Sequence, residues 1–200
     1  QGDPRSPGGG GIYLHGNCEL YIEGDTQIIN NKVLGYGNGG GIYCCFGGYV
    51  EMNGGVIHGN STLLNGGGIY VDGTGSYEGE IHNNNVSTDD SFGAGATMVL
   101  NDGRISGNTA KGNGGGIYIS GKTSTEVNAA QQVFRGGLVR MNGGVITANR
   151  ADDQGGGVYL QADEAGDIGA TFLMSDGALY RNIAGENGNG STGAKDAGAE

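Results

Sequence analysis

The chain has 200 residues, 47 of them glycine and only 2 proline, with a formal net charge of −11 from 21 acids against 10 bases. Glycine without a strict every-third-residue period excludes a collagen triple helix, and apolar residues that make up 36% of the chain and recur in fixed patterns exclude a solvated linker. An acidic chain with scattered bases excludes nucleic acid and anionic membrane surfaces as partners, and no apolar run approaches the ~18 residues of a membrane span.

Residues 1–7 read as a leader, and the chain starts in mid-phrase at Gln1, as expected of a segment of something larger. From residue 8 two phrases alternate. The first, Gly-Gly-Gly-Ile/Val-Tyr, occurs at 9–13, 39–43, 66–70, 114–118 and 155–159, with a degraded copy at 93–97. The second, Met-Asn-Gly-Gly-Val-Ile-x-x-Asn, runs clearly from Met52 to Asn60 and from Met141 to Asn149, with variants closing at Asn108 and Asn182 and weaker ones closing at Asn31 and Asn84. The closing asparagines are 29, 24, 24, 41 and 33 residues apart. A minimum period near 24 with longer intervals is the mark of a solenoid, in which each coil closes on itself and extra residues bulge outward. The largest such bulge is expected at 120–137.

Within each repeat the parity is that of strands. Ile12 and Leu14, Ile69 and Val71, Ile117 and Ile119 flank a Tyr, and Val50 and Met52 or Val139 and Met141 alternate likewise. Period two sends one set inward and the other outward, and no stretch shows a period of 3.6. Three short strands per coil are predicted, separated by Gly/Asn turns, with coils ~4.8 Å apart. The glycine triplet suits a sharp corner at positive φ, and the closing Asn suits a turn that tolerates the left-handed region and stacks amide on amide. With 4 Phe, 4 Met and no Trp, the core is narrow.

The pairing of Gly-Gly-Gly-Ile-Tyr with Ile-x-x-Asn resembles the repeats of bacterial right-handed β-helix surface proteins across about residues 8 to 187. It is similar to the Gly-Gly-Ala-Ile and Phe-x-x-Asn repeats of chlamydial polymorphic outer-membrane proteins, and closer still to adhesin-like repeats of gut bacteria and archaea; it departs from the chlamydial pattern in carrying Ile or Leu in place of Phe. The expected fold is therefore all-β, a right-handed parallel β-helix of about six coils over 8–187, followed by a Gly/Ala/Ser-rich tail or truncated next coil at 188–200. The resemblance implies an extracellular or cell-surface location and an adhesin-like role.

Tyr13, Tyr43, Tyr70, Tyr118 and Tyr159 share one outward register, with Thr97 filling the fourth place. Such a ladder either grips a glycan or protein partner on its aromatic faces or stabilises the sheet by cross-strand stacking. Of three cysteines, Cys44 takes an inward slot and Cys45 points outward, where a disulfide to Cys18 in the neighbouring turn would suit an oxidising compartment; a vicinal Cys44–Cys45 bridge is the alternative. His58 and His82 fall in the same register of successive coils and form either a two-imidazole metal site or a pair of surface polar residues. No cofactor is expected.

Acidic pairs at Asp89-Asp90 and Asp152-Asp153 mark corners or loops. Polysaccharide lyases and hydrolases place converging carboxylates on such scaffolds, but the Asn108-Thr109-Ala110 stretch lacks the acid that a polygalacturonase-like site needs. A structural or adhesin-like module is the leading expectation, not an enzyme; a polysaccharide-active or carbohydrate-binding domain is the alternative. Strand edges at an uncapped end also predict flanking coils or end-to-end self-association.

Overall fold

The computed structural model describes residues 8–16, 18–73, 95–121, 136–162 and 169–185. The leader at 1–7, most of the 120–137 bulge, the 188–200 tail, His82, Asn84 and Asp89-Asp90 lie outside the described residues. The described residues form strands and turns without a helix, and the strands pair in parallel in three sheets.

The Ile-Tyr-x phrase builds the first sheet. Its strands are β1 (Ile12–Leu14), β4 (Ile42–Cys44), β7 (Ile69–Val71), β10 (Ile117–Ile119) and β14 (Val158–Leu160), in that spatial order. The second phrase builds the second sheet from β2 (Glu19–Ile22), β3 (Gln27–Ile29), β5 (Tyr49–His58), β8 (Thr97–Ser106), β11 (Leu138–Met141), β12 (Val145–Thr147), β15 (Thr171–Met174) and β16 (Ala178–Tyr180). Two-residue strands after each ladder asparagine make the third: β6 (Ser61–Thr62), β9 (Thr109–Ala110), β13 (Arg150–Ala151) and β17 (Ile183–Ala184), with Lys32 bridging to Ser61. The chain visits the three sheets in turn and returns to the first one strand further along.

Each circuit thus contributes four short strand segments, not three, because the second phrase bends at its Gly-Gly and pairs on both sides of the bend; β5 and β8 run through it, with register shifts between Met52 and Val56. The described strands stack in five levels. Among the described strands β7 bonds directly to β10, β5 to β8 and β6 to β9, and the expected repeat closing at Asn84 lies outside the described residues. Thr97 accordingly leaves the Tyr column and stands in the second sheet, between Tyr49 and Leu138.

Inward parity produces columns of like side chains. Leu14, Cys44, Val71, Ile119 and Leu160 share one register; Ile22, Met52, Leu100, Met141 and Met174 another. At the middle levels these side chains are completely buried, each contributing about 1.5–3 kcal/mol by leaving water.

An asparagine ladder closes the corner between the second and third sheets. Asn60 donates from both its backbone N–H and Nδ2 to Asn108 Oδ1 (2.9 and 3.0 Å), and Asn108 repeats this to Asn149 (3.0 and 2.9 Å). The second amide hydrogen of Asn108 goes to Ile57 O of the level before, at 3.0 Å. Every polar position of the amide is used, which is why a polar residue is tolerated at zero exposure. The left-handed residue is not the ladder Asn but the one before it: Asn30, Gly59, Gly107, Ala148 and Arg181 have φ of 57°, 64°, 62°, 53° and 55°.

The ladder also explains the glycine triplet. Gly39 has φ +68°, a Cβ on Gly40 would fall on Gly67 O of the next level, and a Cβ on Gly41 would meet the Asn60 amide at 3.0 Å. The two sequence phrases are therefore one packing unit, the third glycine making room for the asparagine.

Candidate functional site: the tyrosine strip and its polar column

The five tyrosines of the first sheet stand in one register, as their spacing predicts. Their rings stack at 5.4, 5.0, 4.8 and 5.1 Å between centroids, with the central pairs tilted by only 6° and 8°. The spacing follows from the level separation, since rings on paired parallel strands are held one strand apart. Tyr43, Tyr70 and Tyr118 are 5–9% exposed, whereas Tyr13 is 38% exposed. The faces of the central rings are thus covered by their neighbours, and Tyr13 and Tyr159 close the two ends of the stack.

Two residues beyond each tyrosine lies a second, polar column that the sequence reading did not single out: His15, Cys45, Asp72, Ser120 and Gln161. The backbone keeps them in step, with Asp72 N–H donating to Cys44 O, Ser120 to Val71 O and Gln161 to Ile119 O. The legible signal was positional, a polar or small residue following every Ile-Tyr-x; its variability hid it from a search for repeated identities. Tyr43 Oη donates to Asp72 Oδ2 at 2.6 Å, and Ser120 Oγ donates to Oδ1 at 3.1 Å while accepting from Gly73 N–H at 2.6 Å. Asp72 is thereby a buried carboxylate satisfied by hydroxyl donors.

Burial, and secondarily the Asp72 charge, pushes the Tyr43 and Tyr70 phenols far above their ordinary range. Tyr118 is pushed up to about 12 by burial, then by Tyr159 and Asp72. Burial likewise raises the Cys45 thiol to about 11. His15, Cys45 and Asp72 sit in one column on consecutive levels, but a nucleophilic cysteine requires a depressed pKa. Here the thiol instead stays protonated at neutral pH and donates to Leu14 O at 3.3 Å.

Cys44 occupies the inward slot between Leu14 and Val71, as its register predicts. Cys45 projects outward yet is fully buried, because it packs with Tyr43, Tyr70 and Tyr118. Cys18 is exposed, donates to His15 O at 3.1 Å, and is not joined to Cys45 in this structure; all three thiols are free.

His58 is flanked in register by Ile29 and Ser106, and its Nδ1 lies 3.2 Å from Ser106 Oγ. Both neighbouring places in the sheet are taken by these residues, and His82 lies outside the described residues. Among the described residues no three His, Cys, Asp or Glu side chains converge to hold a metal ion. Asp152 is nearly buried and bonded to Lys111 Nζ at 2.7 Å, which holds its carboxyl below the usual range.

A further polar row crosses the bend of the second sheet. Ser175 Oγ donates to Asn142 Oδ1, Asn142 Nδ2 to Asn101 Oδ1, Asn101 Nδ2 to Asn53 Oδ1, and Asn53 Nδ2 to Glu51 (3.2, 2.9, 2.8 and 2.9 Å). Its signal was the Asn after Met or Leu in the second phrase, at Asn53, Asn101 and Asn142, with Ser175 in the last copy.

The family model of the Chlamydia polymorphic membrane protein repeat matches residues 102–120. That stretch contains the end of β8, the ladder residue Asn108 and the Gly114 to Tyr118 phrase. No curated protein and no solved structure matches the chain.

Proposed function

We propose that the chain is a stretch of a right-handed parallel β-helix from a cell-surface or secreted protein, acting as an adhesin-like module that holds a binding face at fixed register. The observation that carries this reading is where the repeated side chains go. Tyrosines, inward aliphatics and asparagines are all spent on the same residue one level away. A repeat used this way builds a stiff stack with a quasi-one-dimensional core. The hand is supported by the right-handed crossover that joins parallel strands of one sheet in ~98% of cases. The surface location is supported by the similarity of 102–120 to a membrane-protein repeat.

On this reading Tyr13 and Tyr159, the end rings of the strip, offer a glycan or protein partner an aromatic face, while Tyr43, Tyr70 and Tyr118 offer edges. The test screens the purified chain on a glycan array that includes uronic-acid polymers and on a panel of cell-surface proteins. A Tyr13→Ala, Tyr159→Ala variant runs beside it, and the same polymers are assayed for new reducing ends or unsaturated uronides. Binding without turnover, weakened in the variant, is expected. Turnover of any polymer would replace this reading with a polysaccharide-active enzyme, and binding to nothing would remove the adhesin role.

A further inference from the structure

Tyrosine hydroxyls donate to carboxylates in two different settings. Tyr21 donates to Glu19 at 2.9 Å and Tyr49 to Glu51 at 2.7 Å, each pair lying two residues apart on one strand of the second sheet. Tyr43 donates to Asp72 at 2.6 Å across two levels, 29 residues apart in sequence, and both side chains are buried.

The buried pair is held from every side. The Tyr43 ring lies between Tyr13 at 5.4 Å and Tyr70 at 5.0 Å, the latter tilted by only 6°. Its bond to Asp72 falls within the ~2.5–2.7 Å of a hydrogen bond to a charged oxygen, and the low dielectric around it strengthens that bond. Ser120 Oγ, itself anchored by Gly73 N–H at 2.6 Å, donates to the other Asp72 oxygen at 3.1 Å and fixes the carboxylate from behind. The Tyr70 hydroxyl bonds to Ser120.

This geometry has a redox consequence. A phenol that loses an electron while keeping its proton becomes a cation, which a buried site disfavours. Oxidation by way of the phenolate is closed as well, since burial and the Asp72 charge hold the Tyr43 phenol far above its ordinary range. The remaining route removes electron and proton together, and Asp72 Oδ2 already sits on the proton as its acceptor. Tyr21 has the same kind of acceptor, but its ring is open to solvent, where a radical couples with other phenols. The faces of the Tyr43 ring are covered by its neighbours, which blocks such coupling.

We propose that Tyr43 and Asp72 form a one-electron redox site whose substrate is an outer-sphere oxidant, a high-potential metal complex or a diffusing inorganic radical. The oxidant takes one electron from the Tyr43 ring and is reduced by it. The Oη–H bond breaks, and its proton forms an O–H bond on Asp72 Oδ2, leaving a neutral tyrosyl radical beside a neutral carboxyl group. A one-electron donor reverses the step: the electron returns to the ring and the proton returns to Oη, so the chain ends unchanged. The rings of Tyr13 and Tyr70 on the two faces of Tyr43 supply the contact through which the electron leaves. The site needs only the stacked first sheet and is separate from the binding role proposed above.

Laser-flash oxidation by photogenerated tris(bipyridine)ruthenium(III) tests it, followed by transient absorption and freeze-quench EPR. The starting chain carries Tyr21→Phe and Tyr49→Phe, which remove the carboxylate-bonded phenols of the second sheet. Tyr43→Phe and Asp72→Asn are added to it one at a time, with circular dichroism and urea unfolding to establish that each chain is folded. The starting chain yields a long-lived neutral tyrosyl radical that forms more slowly in D2O than in H2O. Tyr43→Phe abolishes that radical, and Asp72→Asn slows its formation about 100-fold, the low end of what a positioned proton acceptor contributes. Tyr43→Phe keeps a ring in the stack and the D2O comparison needs no substitution, so the test survives an Asp72→Asn chain that does not fold. A radical of equal yield and lifetime in the Tyr43→Phe chain overturns the proposal. So does a rate unchanged by D2O or by Asp72→Asn in a folded chain, or a sulfur-centred product at Cys45 in place of the tyrosyl signal. None of these outcomes bears on the adhesin-like reading.

Discussion

Asn60 and Asn108 are 48 residues apart in sequence and share a 3.0 Å side-chain hydrogen bond at zero solvent exposure. That one bond shows that the two asparagines occupy the same corner of adjacent levels. It also shows why neither a carboxylate nor an aliphatic side chain serves at this corner: an ionised carboxylate has no hydrogen to donate, and an aliphatic side chain neither donates nor accepts.

Replacing Asn108 by Ala is therefore expected to be severe. It leaves the Asn60 N–H, one Asn60 amide hydrogen, Asn149 Oδ1 and Ile57 O without their present partner. With buried orphaned groups costing ~1–3 kcal/mol each and partial relaxation, a loss of about 3 kcal/mol is expected in urea unfolding. Asn182→Ala, at the end of the ladder, should cost less than half as much. Equal losses at both sites would show that the ladder does not act through its neighbours.

Ala148 and Arg181 hold left-handed φ values where Gly59 and Gly107 stand on earlier levels. An L-residue pays ~1–2 kcal/mol there, whereas introducing glycine costs ~0.5–1 kcal/mol in unfolded-chain entropy. Ala148→Gly should thus raise stability by about 0.5–1 kcal/mol, and Gly59→Ala should lower it by more, since its Cβ would also approach Asn30 Oδ1 at 2.5 Å. A destabilised Ala148→Gly protein would refute the strain at that position.

The tyrosine stack makes the protein alkali-sensitive. Tyr118 is pushed up to about 12, and Tyr43 and Tyr70 are raised further, from an ordinary value of 10.0. The folded state therefore binds more protons than the unfolded chain above pH 10, so stability falls as pH rises. The contribution is fully present below pH 10 and is lost as pH climbs through the folded values, with Tyr118 complete near pH 12. Urea midpoints should hold steady up to that window and then decline. Phenolate absorbance should rise in two stages, with exposed Tyr180, held low by its hydrogen bond to Arg104, in the first stage and the central stack only on unfolding. Asp72→Asn should make the decline shallower. A single smooth titration of all 10 tyrosines in a chain that remains folded would contradict the buried stack.

Much of this architecture was legible in the chain. Period-two parity around Tyr70 or Met141 needs only alternating faces, so strand type, inward columns and the tyrosine register follow from local spacing. The repeated closing Asn marked Asn31, Asn60, Asn108, Asn149 and Asn182 as ladder positions, and the amide ladder follows from stacking identical groups. The parity of Cys44 likewise placed its thiol in the core.

What the tertiary structure alone decided concerns neighbours and coverage. Spacing along the chain does not say which strands are neighbours, and only the structure shows that β5 pairs directly with β8. Outward parity also does not mean exposure: Cys45 and the central tyrosines point away from the core yet are buried, because a flat stack of rings covers its own faces. The sequence by itself determined which residues share a column, a property of spacing along one chain. Which level follows which, what covers a column and where the stack lies open depend on contacts between segments far apart in sequence, and those exist only once the chain has wound on itself.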